Sequence, residues 1–265
     1  MSGDGARSAL LTLLGFAPMI DSELSRLVLG HYGIPYVEQD HVFGWVSLLT
    51  WLHGGYGQVP LLYGRGLHLS GPRAMVDNFD AGAASRLIPL EQPARQKVEA
   101  DWTRYNGEMA TDVAAIAYFY LLAEREMMIR IFSRNIPSGE ATLLPSFYGA
   151  LKGLFTALLS LSEGHAQDAL RRVQIRFDLT DRRLADGRPW LGGDRLTLAD
   201  LALISAAAPL LLPSGYGAPM PSYQAMPEAM QTIITDLRQT ATAKLVERFY
   251  AARERVNAGA APITG

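Results

Sequence analysis

The run GQVPLLYGRGLHLSGPRAM, residues 57–75, puts a proline at the mouth of an apolar strand and so restricts what the chain can build there. Proline has no N–H for a sheet ladder. Pro60 therefore belongs on an edge, at a strand's first residue, or in a turn whose cis Val59–Pro60 bond exposes backbone to a ligand. LLYG and LHLS read as two short strands joined by a glycine turn, and GPRAM as a helix start. An ordinary trans proline opening a strand is the alternative, and the flanking segments have to decide.

Upstream, LLTLLGF at 10–16 is a continuous apolar run of strand length, as expected of a strand buried on both faces. In DSELSRLVLGHYGIPY, Leu24, Leu27 and Val28 recur at helical spacing, Asp21 or Ser22 can cap the start, and Gly33 can end it. PYVEQDHV supplies a second strand near residues 35–42. Strand, helix and strand within about 35 residues fit a right-handed crossover between parallel strands. The hairpin at 60–69 completes a four-stranded mixed sheet.

Beyond Asp80 the pattern changes. AGAASRLIPLEQP reads as a linker, which divides the chain into residues 1–82, a linker at 83–92, and a helical part at 93–265. Trp102, Tyr105, Met109, Val113, Ile116 and Tyr120 line one stripe of a long helix, more readily core than a dimer seam. A helix from 93 to 133 would run roughly 60 Å at 1.5 Å per residue, so a break is expected near Glu124. RNIPSGEATLLP at 134–145 reads as a loop, followed by a helix in SFYGALKGLFTALLSL and another from Ala166 to about Asp186. In GGDRLTLADLALIS, Thr197 and Asp200 form a capping box, with Leu196 and Leu201 as a hydrophobic staple, opening a buried helix from Leu198 to Ala208.

Composition excludes several function classes. With 49% hydrophobic and 19% charged residues and a net charge of −2, the chain lacks the basic excess of a phosphate-backbone binder, so nucleic acid is not an expected partner. There are no cysteines, which removes disulfides, thiolate metal sites and a protein thiol nucleophile. The five histidines, His31, His41, His53, His68 and His165, show no paired ligand spacing, and no metal site is expected. HGGYGQ at 53–58 lacks a following Gly-Lys-Ser/Thr and reads as a loop rather than a phosphate cradle, with Tyr56 able to border a cleft. The start MSGDGARSALLTLLGF reads as a tail entering a strand rather than a secretory signal. The apolar run LALISAAAPLLLP is broken by proline short of the roughly 20 residues that span a bilayer. A soluble cytoplasmic protein with no membrane partner is expected.

The N-terminal strand–helix–strand, QVPLLYG, and the distant RPWLGGDRLTLADLAL together resemble the cytosolic glutathione transferase superfamily, over residues 9 to about 210 apart from 134–165, which reads as an insertion. The resemblance implies an α/β thioredoxin-like domain followed by an all-α helical domain, in a divergent member that forms a homodimer. It implies a cis Pro60, with the Val59 backbone pairing with the cysteinyl part of glutathione. Met19, Gln58, Val59, Pro60, Ser70, Gly71 and Arg73 are the positions that would hold the tripeptide. Phe16, Tyr105, Tyr118 and Phe119, with Met127 and Met128, would form an apolar wall facing a small apolar electrophile.

Two departures bear on activity. Glutathione transfer needs a thiolate, so a hydroxyl or helix N-terminus must depress a thiol pKa of about 8.5. The family's hydroxyl positions fall here at Met19 and Phe16, neither of which carries one. Ser22, one helical turn on, is the candidate catalytic hydroxyl, and a plain cap is its alternative. At the exit of the hairpin, Gly71-Pro72 replaces the acid-or-glutamine and serine that hold the γ-glutamyl end, leaving Ser70 and the Arg73 and Ala74 amides. The expected function is glutathione-dependent conjugation to an apolar electrophile. The alternatives are a non-catalytic binding or interaction protein on the same scaffold, and an isomerase or tailoring enzyme with a different ligand.

Overall fold

A computed structural model describes residues 10–259. The predicted N-terminal tail up to residue 9 lies outside the described residues. Strands β1 (Leu11–Gly15), β2 (Tyr36–Asp40), β3 (Leu61–Gly64) and β4 (Leu67–Ser70) form one sheet in the order β2-β1-β3-β4. β1 runs parallel to β2, with Gly15 opposite Asp40, and antiparallel to β3, with Leu14 opposite Leu61. Leu13, Leu14, Leu61 and Leu62 are almost wholly buried, as a continuous apolar run in a sheet covered on both faces requires.

Helix α1 (Ile20–His31) makes the crossover from β1 to β2 and packs against α3 (Gly71–Phe79). Its cap differs from expectation. Met19, not Asp21 or Ser22, is the N-cap residue; its thioether makes no side-chain cap bond, and Ser22 is the third residue of the helix. Gly33, at φ +64°, sits just beyond the helix end, where the left-handed backbone suits glycine. A short helix α2 (Trp45–Leu52), which the sequence reading left unassigned, fills the stretch between β2 and the turn before Pro60.

Asp80 ends the first half. Its carboxylate accepts from Tyr32 Oη, Arg86 Nε and the amides of Leu87 and Ile88, which pins the connecting segment 83–91 to the sheet domain. The helical part then comprises α4 (Gln92–Trp102), α5 (Ala110–Leu121), α6 (Arg125–Phe132), α7 (Ser138–Leu158), α8 (Glu163–Leu184), α9 (Leu198–Leu211), α10 (Glu228–Arg238) and α11 (Ala241–Gly259). The predicted long helix is broken twice: by a π-helical turn at Thr103–Met109, and at Glu124, which opens α6.

Residues 134–145 are not a loop throughout. α7 starts at Ser138 and carries Pro145 inside it, because the flanking apolar spacing of Leu144, Tyr148, Leu151 and Phe155 buries one face and outweighs one missing N–H. α9 is the buried axis of the helical half, and its start is the predicted capping box. Asp200 accepts from the Thr197 amide (2.9 Å), the Thr197 hydroxyl (2.7 Å) and the Leu191 amide (2.7 Å). Both halves share one contiguous apolar core. No single described helix is long and apolar enough to cross a membrane.

Candidate functional site

Between β1 and α1 the chain turns through Phe16–Met19, with the Met19 amide bonded to Phe16 O at 3.0 Å. The first amides of α1 have no intrahelical acceptor and point out of the helix start, where its dipole favours an anion. Beside that start lies a cavity of ≈ 300 Å³ between the two halves of the chain. Its walls are mostly apolar, and four of its lining rings pack face and edge. Phe155 lies 4.9 Å from Phe43, 4.6 Å from Tyr118 and 6.1 Å from Phe16, centroid to centroid.

Helix α7, the predicted insertion, brings Phe155 there. Glu140 near its start accepts from the Val42 amide (2.9 Å) and pairs with His41 Nδ1 (2.5 Å), fastening α7 to the segment after β2.

A few polar groups enter this apolar space. Asp21 lines it, and burial pushes its carboxyl up to about 6, opposed by a hydrogen bond from Asn106. Asn106 comes from the π-helical turn, whose extra residue per turn re-aims side chains. Its Oδ1 is buried without a partner, as is the hydroxyl of Tyr216 from the segment after α9. Burial also pushes the Tyr118 and Tyr216 phenols above their ordinary range, so both are neutral donors at any working pH.

Of the predicted electrophile wall, Phe16 and Tyr118 line the cavity with Met128, whereas Tyr105 and Phe119 do not. Tyr105 is buried elsewhere, its hydroxyl 2.9 Å from Thr180 Oγ1, and Phe119 packs edge-on against Tyr120. Tyr105 faces the core with its stripe neighbours Met109, Val113 and Ile116, whereas Tyr118, further along α5, faces the cavity. Met127 packs on the core without lining the cavity, and Tyr56 is 76% exposed away from it.

The predicted tripeptide positions lie around the edge of the sheet. Met19 lines the cavity, and Gln58, Val59, Pro60, Ser70, Gly71 and Arg73 do not. The Val59–Pro60 bond is cis, and neither the amide nor the carbonyl of Val59 takes part in a loop hydrogen bond. Gln58 is exposed, its amide bonded to Gly55 O at 3.0 Å. The Gly71 amide is spent on Pro60 O at 2.8 Å, and Ser70 Oγ donates to Gly55 O at 3.4 Å.

The Arg73 side chain is directed away from this edge. It bonds Asp77 Oδ1 at 2.9 Å and Glu99 Oε2 at 2.5 Å, tying α3 to α4. Ser22 is fully buried, does not line the cavity, and has no hydrogen-bond partner for its Oγ. A Cβ built on Gly15 would meet Ser22 Oγ at 3.2 Å, with Asp40 Oδ1 and Pro60 Cβ beyond, so this hydroxyl faces the underside of the β1 end. The reading from sequence missed Phe43, Asp21, Asn106, Phe155 and Tyr216. Only Asp21 and Phe43 stand near a recognised motif.

Residues 148–228 match the family model described as "Glutathione S-transferase, C-terminal domain". No curated protein sequence matches the chain. Among solved structures, a glutathione transferase family member from Pseudomonas fluorescens pf-5, with two glutathione bound, is similar at 17% identity and TM-score 0.61, over 95% of this chain and 92% of that one. A glutathione transferase from Burkholderia graminis, also with two glutathione molecules bound per subunit, is similar at 15% identity and TM-score 0.59, covering 97% and 90%. FzlA from C. crescentus is similar at 18% identity and TM-score 0.53, covering 92% of each chain. A thioredoxin-like sheet domain, a helical domain with the family's C-terminal signature, and these neighbours mark the chain as a divergent protein of the cytosolic glutathione transferase fold.

Proposed function

We propose that the chain is a glutathione-dependent transferase that conjugates the tripeptide to an apolar electrophile. The observation that carries this reading is the apolar cavity opening against the start of α1 beside Met19, where a thiolate and an apolar partner can meet. Glutathione, when bound, supplies the sulfur nucleophile, which forms a C–S bond while the leaving group departs with its electron pair and the thiol proton passes to solvent. The residues fit the tripeptide in part: the Val59 amide and carbonyl are free to pair with an extended peptide, and the Arg73 and Ala74 amides open α3. The Ile20 and Asp21 amides at the head of α1 stabilise the thiolate. They are better placed than Ser22, whose hydroxyl is turned inward. Homodimer assembly belongs to the same reading, and light scattering tests it.

A second reading, a binding protein without turnover on the same scaffold, draws on the missing hydroxyls at Phe16 and Met19 and on Pro72, which lacks a donor. Calorimetry with glutathione, paired with a conjugation assay on an aryl halide, separates the two. Saturable binding with turnover unchanged by Ser22→Ala supports transfer assisted by backbone amides. Binding without turnover supports the second reading, and absence of binding sinks both.

A further inference from the structure

The apolar cavity adjoins a second cavity of ≈ 350 Å³, and Tyr216, Pro219 and Met220 line both. The character of the second space is different. Arg134 and Asn135 enter it from the end of α6, facing the backbone of the glycine- and proline-rich segment around Gly215, and no carboxylate side chain lines it.

Arg134 is exposed and forms no ion pair among the described residues, whereas most arginines lining the cavities near the 83–91 linker are paired with carboxylates, as Arg86 is with Asp80 and Arg183 with Asp101. Ile131, in the last turn of α6 and three residues before Arg134, lines the apolar cavity, so one short stretch of chain contributes an apolar residue to one space and an arginine to the next. The Tyr216 hydroxyl is buried and unpartnered, a donor with nothing to donate to.

A purely apolar ligand would leave this gradient unused. We propose that the molecule accepted here is an amphiphile, an apolar and preferably aromatic body ending in a single carboxylate, with the body among Phe16, Phe43, Tyr118 and Phe155 and the carboxylate paired with Arg134. Arginine suits the role because its planar fork meets both carboxylate oxygens. The electrophilic carbon then lies at the opposite end, beside Met19, which puts the carboxylate distal to the sulfur. That last step rests on the transferase reading. The pairing with Arg134 does not, and it is tested without glutathione.

The probes are a series of ω-phenylalkanoates of graded chain length and their methyl esters, titrated into the full-length protein by calorimetry at low salt. The expected result is a chain-length optimum at which the acid binds about five- to tenfold more tightly than its ester, a preference that shrinks as salt is added. Arg134→Gln abolishes that preference and leaves the ester's affinity unchanged, while Arg130→Gln, in the last turn of α6, leaves both unchanged. Equal binding of acid and ester, retention of the preference in Arg134→Gln, or binding of neither probe overturns the proposal. A separate glutathione titration of the same preparations reports on the transferase reading alone, so loss of one result is distinguishable from loss of the other.

Discussion

The hydroxyl of Tyr250 donates to Glu23 Oε1 at 3.0 Å, joining α11 to α1 across 227 positions of sequence. Glu23 is fully buried and also accepts from Arg26, Arg253 and the Gly217 amide, so one carboxylate holds together the sheet domain, the last helix and the segment that carries Tyr216. Gly217 is required at its position, since a Cβ there would stand 2.4 Å from Arg26 Cδ and 2.6 Å from Glu23 Oε2.

Glu23→Ala removes the acceptor and leaves the Arg26 guanidinium, 3% exposed, without one of its two carboxylates. Breaking a buried pair from one side costs about 3–5 kcal/mol. Urea denaturation should show a loss of that order, against about 1 kcal/mol for Tyr250→Phe, which deletes one hydrogen bond. Equal effects of the two would mean that Glu23 is not the centre of the network.

Phe155→Ala tests whether α7 completes the ligand cavity. The ring is 5% exposed and packs against Phe16, Phe43, Tyr118 and Phe132. Its removal should cost about 3 kcal/mol in thermal or urea unfolding. It should also enlarge the cavity, shifting the chain-length optimum of the phenylalkanoate series towards bulkier members. A stability loss with an unchanged optimum would separate α7 from the ligand.

The pH dependence follows from Asp21, whose carboxyl is raised from 3.8 to about 6 by burial. Between those values the folded chain binds more protons than the unfolded one, so stability is fully present below pH about 4, falls as pH rises, and levels off above about 6. Asp21→Asn should therefore be more stable than the parent at pH 7, by up to about 2–3 kcal/mol, and should match it near pH 4. The check is a pair of urea curves at the two pH values. A variant no more stable at pH 7 than at pH 4, relative to the parent, would place the ionised carboxylate in a favourable site.

Arg73→Ala should leave glutathione affinity within about twofold, because the proposed contact is the Arg73 amide and the side chain is committed to Glu99 and Asp77. Both ends of the Arg73–Glu99 pair are about one-third exposed, so screening limits its contribution to about 1 kcal/mol or less, declining with salt. A tenfold loss of glutathione affinity in Arg73→Ala would instead assign the guanidinium to the ligand.

Much of the fold was legible locally. The apolar run of β1, the spacing of Leu24, Leu27 and Val28, the proline before β3 and the Thr197–Asp200 box each express an interaction within a few residues, and each appears where its pattern placed it. The sequence places the start of α7 at Ser146, because proline and glycine at 137–145 are breakers on average, and only the burial of Leu144 and Tyr148 against the rest of the helical half overrides that preference.

The site was much less legible. Sequence determined that the chain has no thiol, no hydroxyl at position 16 or 19, and a helix start beside the end of β1. Tertiary structure decided that Ser22 faces inward, that Arg73 serves Glu99, that Phe155, Asn106 and Tyr216 border the cavity that Phe16 and Asp21 help to form, and that Arg134 lines its neighbour. The reason is physical: periodicity and capping are short-range, whereas which face of a helix meets a cavity depends on how elements more than a hundred residues apart pack, and that is set by the summed burial of the whole core.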